Sequence, residues 1–166
     1  SGREGSEMRP LYETDTDRVL VYTGAAWVIL AEPEQSWSPT MTGYTVGDGT
    51  WSAQYHRSDG WCDFRASFTL GATSAITGQL LLTLPFAQDT NTQAGQFGCG
   101  FCDASGSSFA AFASYTGNAT QVYVDAVSAS VSYATAVATS ATVPFTWTTG
   151  DIIYIVGRYQ MSTRTS

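Results

Sequence analysis

Three cysteines, one histidine and a scatter of aspartates are the residues of this chain whose types could do chemistry. Cys99-Gly100-Phe101-Cys102 has the spacing of a zinc-ligand pair or a redox dithiol. Zinc needs two further ligands, and only Cys62 and His56 remain to supply them. A redox pair sits where a strand runs into a helix, whereas this one lies among glycines with strand-like alternation, so Cys99 reads as a small apolar strand residue. His56, beside Arg57, has no nucleophile-elbow sequence to serve. No glycine loop precedes a lysine, because the chain has none, so no phosphate cradle is expected. Paired carboxylates that cut polysaccharide would be drawn from Asp48, Asp59, Asp63, Asp89, Asp103, Asp125 and Asp151. Asp48, Asp59, Asp89, Asp103 and Asp151 fall in or beside turns, where Asp is favoured for backbone reasons. The expectation is a chain with no catalytic residue, no metal and no cofactor: a structural or binding module.

Composition agrees with that reading. Val, Ile, Thr, Tyr, Phe and Trp abound while Leu and Glu are sparse, which favours pleated surfaces over helices. Seven arginines against fourteen carboxylates give a net charge of −7 with no basic stripe, which argues against binding along a nucleic-acid backbone. No apolar run approaches the ~20 residues that span a bilayer, so membrane insertion is not expected. Only 13% of residues are charged, so Ser, Thr, Gly, Gln and Asn must cover the surface, as in extracellular or virion proteins. The start at Ser1, without an apolar leader segment, reads as a fragment or a processed chain.

The elements that would position any site are strands. Residues 1–10 are polar and read as a tether. Residues 11–32 hold three short apolar runs separated by Asp15-Thr16-Asp17 and Gly24-Ala25, a three-stranded meander with too little core to stand alone. It must pack on the following domain or on copies of itself. Glu32-Pro33-Glu34-Gln35 is a charged joint, and residues 33–166 read as one further domain. There Asp59-Gly60 between two alternating runs signals a type I′ hairpin. Cys62, Phe64, Ala66, Phe68 and Leu70 then line one face of a strand, with polar residues on the other. Further strands are expected at Ser38–Tyr44, Gln79–Leu84, around Phe97–Phe101, Phe109–Tyr115, Val122–Ala126 and Ile152–Gln160. Residues 128–142 read equally well as a small-residue strand or a long loop. About eight strands joined by glycine turns imply an all-β fold, an antiparallel β-sandwich of jelly-roll type. In the last strand both faces are apolar, Ile153, Ile155 and Tyr159 against Ile152, Tyr154 and Val156, and a sandwich strand has only one core face. Ile152, Tyr154 and Val156, with Trp27 of the meander, are therefore the candidate subunit contacts of an oligomer.

Two segments carry a family resemblance. Tyr12-Glu13-Thr14-Asp15-Thr16-Asp17-Arg18-Val19-Leu20-Val21-Tyr22-Thr23-Gly24-Ala25-Ala26-Trp27 resembles a hairpin common in tail-fibre and minor tail proteins of bacteriophages, with Asp17 where a turn glycine is usual. Pro144-Phe145-Thr146-Trp147-Thr148-Thr149-Gly150-Asp151-Ile152-Ile153-Tyr154-Ile155-Val156-Gly157-Arg158-Tyr159 is similar to the end of β-sandwich domains in virion fibre proteins, and 36–40 and 49–55 resemble the opening of those domains. The resemblance implies a homotrimer at a fibre end that contacts the host surface. It implies a virion location after synthesis in the host cytoplasm, with the N-terminal segment meeting other virion proteins. Alternatives are a head fibre, decoration or tail assembly component without a receptor, or a secreted lectin-like module. Sugar recognition uses aromatic faces with amide partners, so Trp51, Tyr55, Trp61, Tyr115, Asn118 and Tyr123 are the candidate contacts to a receptor protein or glycan.

Overall fold

The strand-favouring composition is realised without a helix among the described residues, which in this computed structural model are 10–90, 95–115, 118–128 and 134–162. The strands are β1 (Pro10–Glu13), β2 (Arg18–Tyr22), β3 (Trp27–Ala31), β4 (Gln35–Ser36), β5 (Met41–Thr45), β6 (Thr50–Ser58) and β7 (Trp61–Thr69). They continue as β8 (Ala75–Thr83), β9 (Gly95–Cys102), β10 (Ser108–Tyr115), β11 (Gln121–Ser128), β12 (Thr135–Val137) and β13 (Ile152–Gln160). β1–β3 form a separate three-stranded sheet. The others form one antiparallel sheet in the order β4-β6-β7-β13-β9-β10-β11-β8-β5, with β12 on β11.

That order forces the sheet to curl. β4 and β5 lie at opposite ends of it, yet the chain from Ser36 to Met41 can reach only about 18 Å. The two ends must meet, and they do: Trp51 Nε1 on β6 donates to the Tyr44 hydroxyl on β5 at 3.0 Å. The curled sheet closes on a core that includes Phe68, Leu80, Phe101, Val122, Val124, Ile153 and Ile155, giving the sandwich-like all-β fold that the strand pattern implies.

Register follows from turn chemistry. Asp59 and Gly60 have φ of 46° and 81°, the paired positive values that a type I′ hairpin needs, and they lock β6 to β7 from Ser58↔Trp61 out to Thr50↔Thr69. Asp17, at the position of the usual glycine, is also left-handed with φ 53°, and its carboxylate accepts the Tyr12 hydroxyl at 2.6 Å. The expected strand from Ser38 begins only at Met41. The expected strand from Gln79 begins earlier, at Ala75, because a register shift in β5 around Gly43 lets Tyr44 pair with Ile76. Of 128–142, residues 129–133 lie outside the described set, while Thr135–Val137 form β12 and Thr139 is buried, its Oγ1 accepting from Leu80 N at 2.9 Å.

The meander is fixed to the sandwich by one buried ion pair. The Glu32 side chain is fully buried, and Arg57 of β6 grips it with Nε and Nη2 at 2.6 and 2.8 Å. Arg18 of β2 adds a third nitrogen at 3.4 Å. The bond to Glu32 holds the Arg57 guanidinium pKa above its usual value, so the guanidinium keeps its charge. The Ser58 hydroxyl donates to Leu30 O at 3.2 Å beside them.

Candidate assembly surface

β13 runs between β7 and β9, so its outward residues lie at the centre of one outer face of the sandwich. Its inward residues Ile153, Ile155 and Tyr159 are buried. The Tyr159 hydroxyl donates to Phe86 O and accepts from Phe86 N, both at 3.0 Å, and burial raises its pKa strongly. Outward, Tyr154 and Val156 keep 39% and 49% exposure, high for large apolar groups in the middle of a sheet. Ile152 beside them is half-buried.

The neighbours of these two residues are glycines on the β9 side, and Ser67 and Arg65 on the β7 side. Tyr154 pairs with Ser67 and Gly100, and Val156 pairs with Arg65 and Gly98. A Cβ on Gly100 would collide with the Tyr154 ring and hydroxyl, and one on Gly98 would sit 3.4 Å from Val156 Cγ2. Both side chains thus lie over the glycines of β9. On their other flank, Ser52 and Ser67 and the inward-turned Ala53 and Ala66 leave a shallow trough, bounded by Gln54 and Arg65. The charges of this face are paired within it. Arg65 Nη2 donates to Glu34 at 2.9 Å and to Gln54 at 2.6 Å. Asp63 stands 3.8 Å from Arg158 Nε and 4.0 Å from His56 Nδ1. Exposed pairs of this kind add roughly 0 to 1 kcal/mol, so their main effect is neutrality.

The receptor candidates do not form one site. Trp51 and Tyr55, expected at turns or on outward positions, turn inward and pack on the core: Trp51 on Phe68 and Tyr44, Tyr55 on Phe86. The cause is the Asp59-Gly60 hairpin, whose register sets them opposite the inward Phe68 and Phe64. Burial, then the Glu32 charge, raises the Tyr55 pKa. Trp61 faces outward on β7 with the Arg158 guanidinium 5.1 Å above its ring. Asn118 is exposed in the β10–β11 turn, where its Oδ1 accepts from Thr120 N at 3.0 Å. Tyr123 is half-buried on the outer side of β11, and the Tyr115 side chain lies outside the described residues. Trp27 is exposed on the meander, against Tyr22. Sequence reasoning missed exposed Phe112, although the alternation of β10 with inward Phe109 and Ala111 marks it as outward.

Strand direction sorts the loops to two ends. The Asp59-Gly60 turn, the β10–β11 turn and the close of β13 share one end, linked by Met161 N to Gly60 O at 2.9 Å and Gln88 N to Ala119 O at 2.7 Å. Trp61 and Asn118 are there, and so is the meander, through Arg57 and Ser58. At the opposite end stand 46–49, 71–74, 103–107 and 148–151. Aspartates brace these loops. Buried Asp151 accepts Ala104 N at 2.8 Å and Thr148 N at 2.5 Å, and Asp48 accepts Thr73 N at 2.8 Å, which lowers the Asp48 pKa. Asp103 likewise accepts Ser105 N at 2.7 Å.

Two of the three cysteines are spent on packing. Cys62 is buried in the core and Cys99 packs against it; burial pushes their thiols up to about 11 and about 12. Such thiols stay protonated and are poor nucleophiles. Cys62, Cys99 and Cys102 are all free. Among the described residues no group of three or more His, Cys, Asp or Glu stands close enough to hold a metal ion. Comparison with known proteins adds no relative: no family model matches the chain, and no curated protein and no solved structure matches it.

Proposed function

We propose that this chain is a virion structural protein of a bacteriophage, the distal part of a tail fibre that works as a homotrimer and contacts the host surface. The observation that carries the reading is the outer face of β13, where Tyr154 and Val156 stand exposed over Gly100 and Gly98 with the local charges already paired. A stable single chain gains nothing from such a patch, and a fibre subunit needs one. The two segments that resemble fibre proteins support it further, since they form the meander and the loop-plus-β13 unit that holds this patch. The polar, lysine-free surface suits a particle exposed outside cells.

In this reading the meander faces the particle, and the receptor-contacting end is the opposite one, at 46–49, 71–74, 103–107 and 148–151. Trp61 and Asn118, at the meander end, then serve packing or assembly. Antibody labelling of purified virions tests the assignment: label at tail-fibre ends is expected, and label on the head or its absence from particles overturns it. Binding of the purified protein to host cells, abolished by bulky substitutions at Thr73 and Ser105 and kept on Trp61→Ala, tests the choice of end.

A further inference from the structure

We infer that the subunits meet by a ridge-in-trough contact, in which Tyr154 and Val156 of one copy enter the trough at Ser52 and Ser67 of the next. The number of copies rests on the homotrimer reading above; the contact itself rests on the shape and charge of one face. Tyr154 and Val156 lean toward β9, over Gly100 and Gly98, so the ridge they make walls one side of the trough on β6 and β7 and leaves it open. A face with its ridge and its hollow side by side is complementary to another copy of itself after a sideways shift. Each copy then gives a ridge to one neighbour and receives one from the other, a heterologous contact that closes into a ring when the rotation permits.

Charge selects the occupant as well as shape does. The chain carries a net −7, so copies repel each other over most approaches. On this face Arg65, at the edge of the trough, is met by Glu34, and Arg158 further along is met by Asp63, so the ridge and trough carry no unmatched charge. Here two strongly acidic chains can touch without paying for like charges. A basic partner would gain nothing from choosing this neutral patch on an acidic protein.

Cysteine cross-linking tests the contact on the full chain. In a Cys102→Ser background, which removes the free thiol near this face, Tyr154→Cys and Ser52→Cys are introduced together. Ser52 and Tyr154 are two strands apart through Ser67, about 9 to 10 Å, too far for a disulfide within one chain. Under mild oxidation the expected product is a covalent ladder that stops at three chains, with no linkage for Tyr154→Cys alone. Linkage by Tyr154→Cys alone would place two ridges together on an axis and overturn the inference, as would a ladder ending at two. No ladder while light scattering reports a trimer would also overturn it yet leave the fibre reading intact. A monomer by scattering would remove both.

Discussion

The strands of the meander are more apolar than those of the sandwich, yet they bury far less of that surface. In the sandwich Phe68, Phe101, Val122 and Val124 are sealed from solvent. In the meander Leu20 and Ile29 are buried at 7% and 5%, but Leu11, Tyr12, Tyr22, Trp27 and Leu30 stay exposed. The difference is one of layers. A curled sheet covers its own inner face, whereas three short strands in one layer have two faces and too little chain to cover both. Apolar content therefore sets how much surface seeks cover, and topology decides whether the chain supplies the cover itself.

Truncating one large side chain in each region gives the sharpest contrast. Phe68→Ala should cost about 3 to 5 kcal/mol in urea unfolding, because it empties a closed core. Trp27→Ala should cost the folded single chain less than about 1 kcal/mol, since its ring is already wet; a larger loss that grows with protein concentration would report assembly through the meander. Equal, concentration-independent losses would erase the distinction between the two regions.

The joint between them comes next. Glu32→Ala leaves Arg57 partly buried without its partner and should cost about 3 kcal/mol. It should also speed tryptic cleavage at Arg18. If cleavage is unchanged, the ion pair does not fix the meander.

A further effect is alkaline and belongs to the sandwich, because the meander has no thiol. The unfolded chain releases the Cys62 proton near 9.0, while the folded chain keeps it until about 11. In that window the native state holds more protons, so stability is full below pH 9 and falls as pH rises, by on the order of 2 kcal/mol for this group. Cys99, held up to about 12, prolongs the fall. Unfolding curves at pH 8 and 10.5 measure it, and Cys62→Ala should flatten the slope; an unchanged slope would remove Cys62 as its source.

The sequence by itself determined the strand periodicity, the two-faced character of β7 and β13, and the Asp59-Gly60 turn, because these are local properties of two to nine neighbouring residues. It also contained, unused, the inward facing of Trp51 and Tyr55, since a two-residue turn dictates the register of both arms. Only the tertiary structure decided that Glu32 would meet Arg57 and Arg18, that Thr139 would take the Leu80 N–H within β8, and that Ser36 and Met41 would draw the two ends of the sheet together. Those pairings join residues far apart in the chain or at opposite ends of the sheet, and no local preference encodes which of many compatible partners closure will bring within reach.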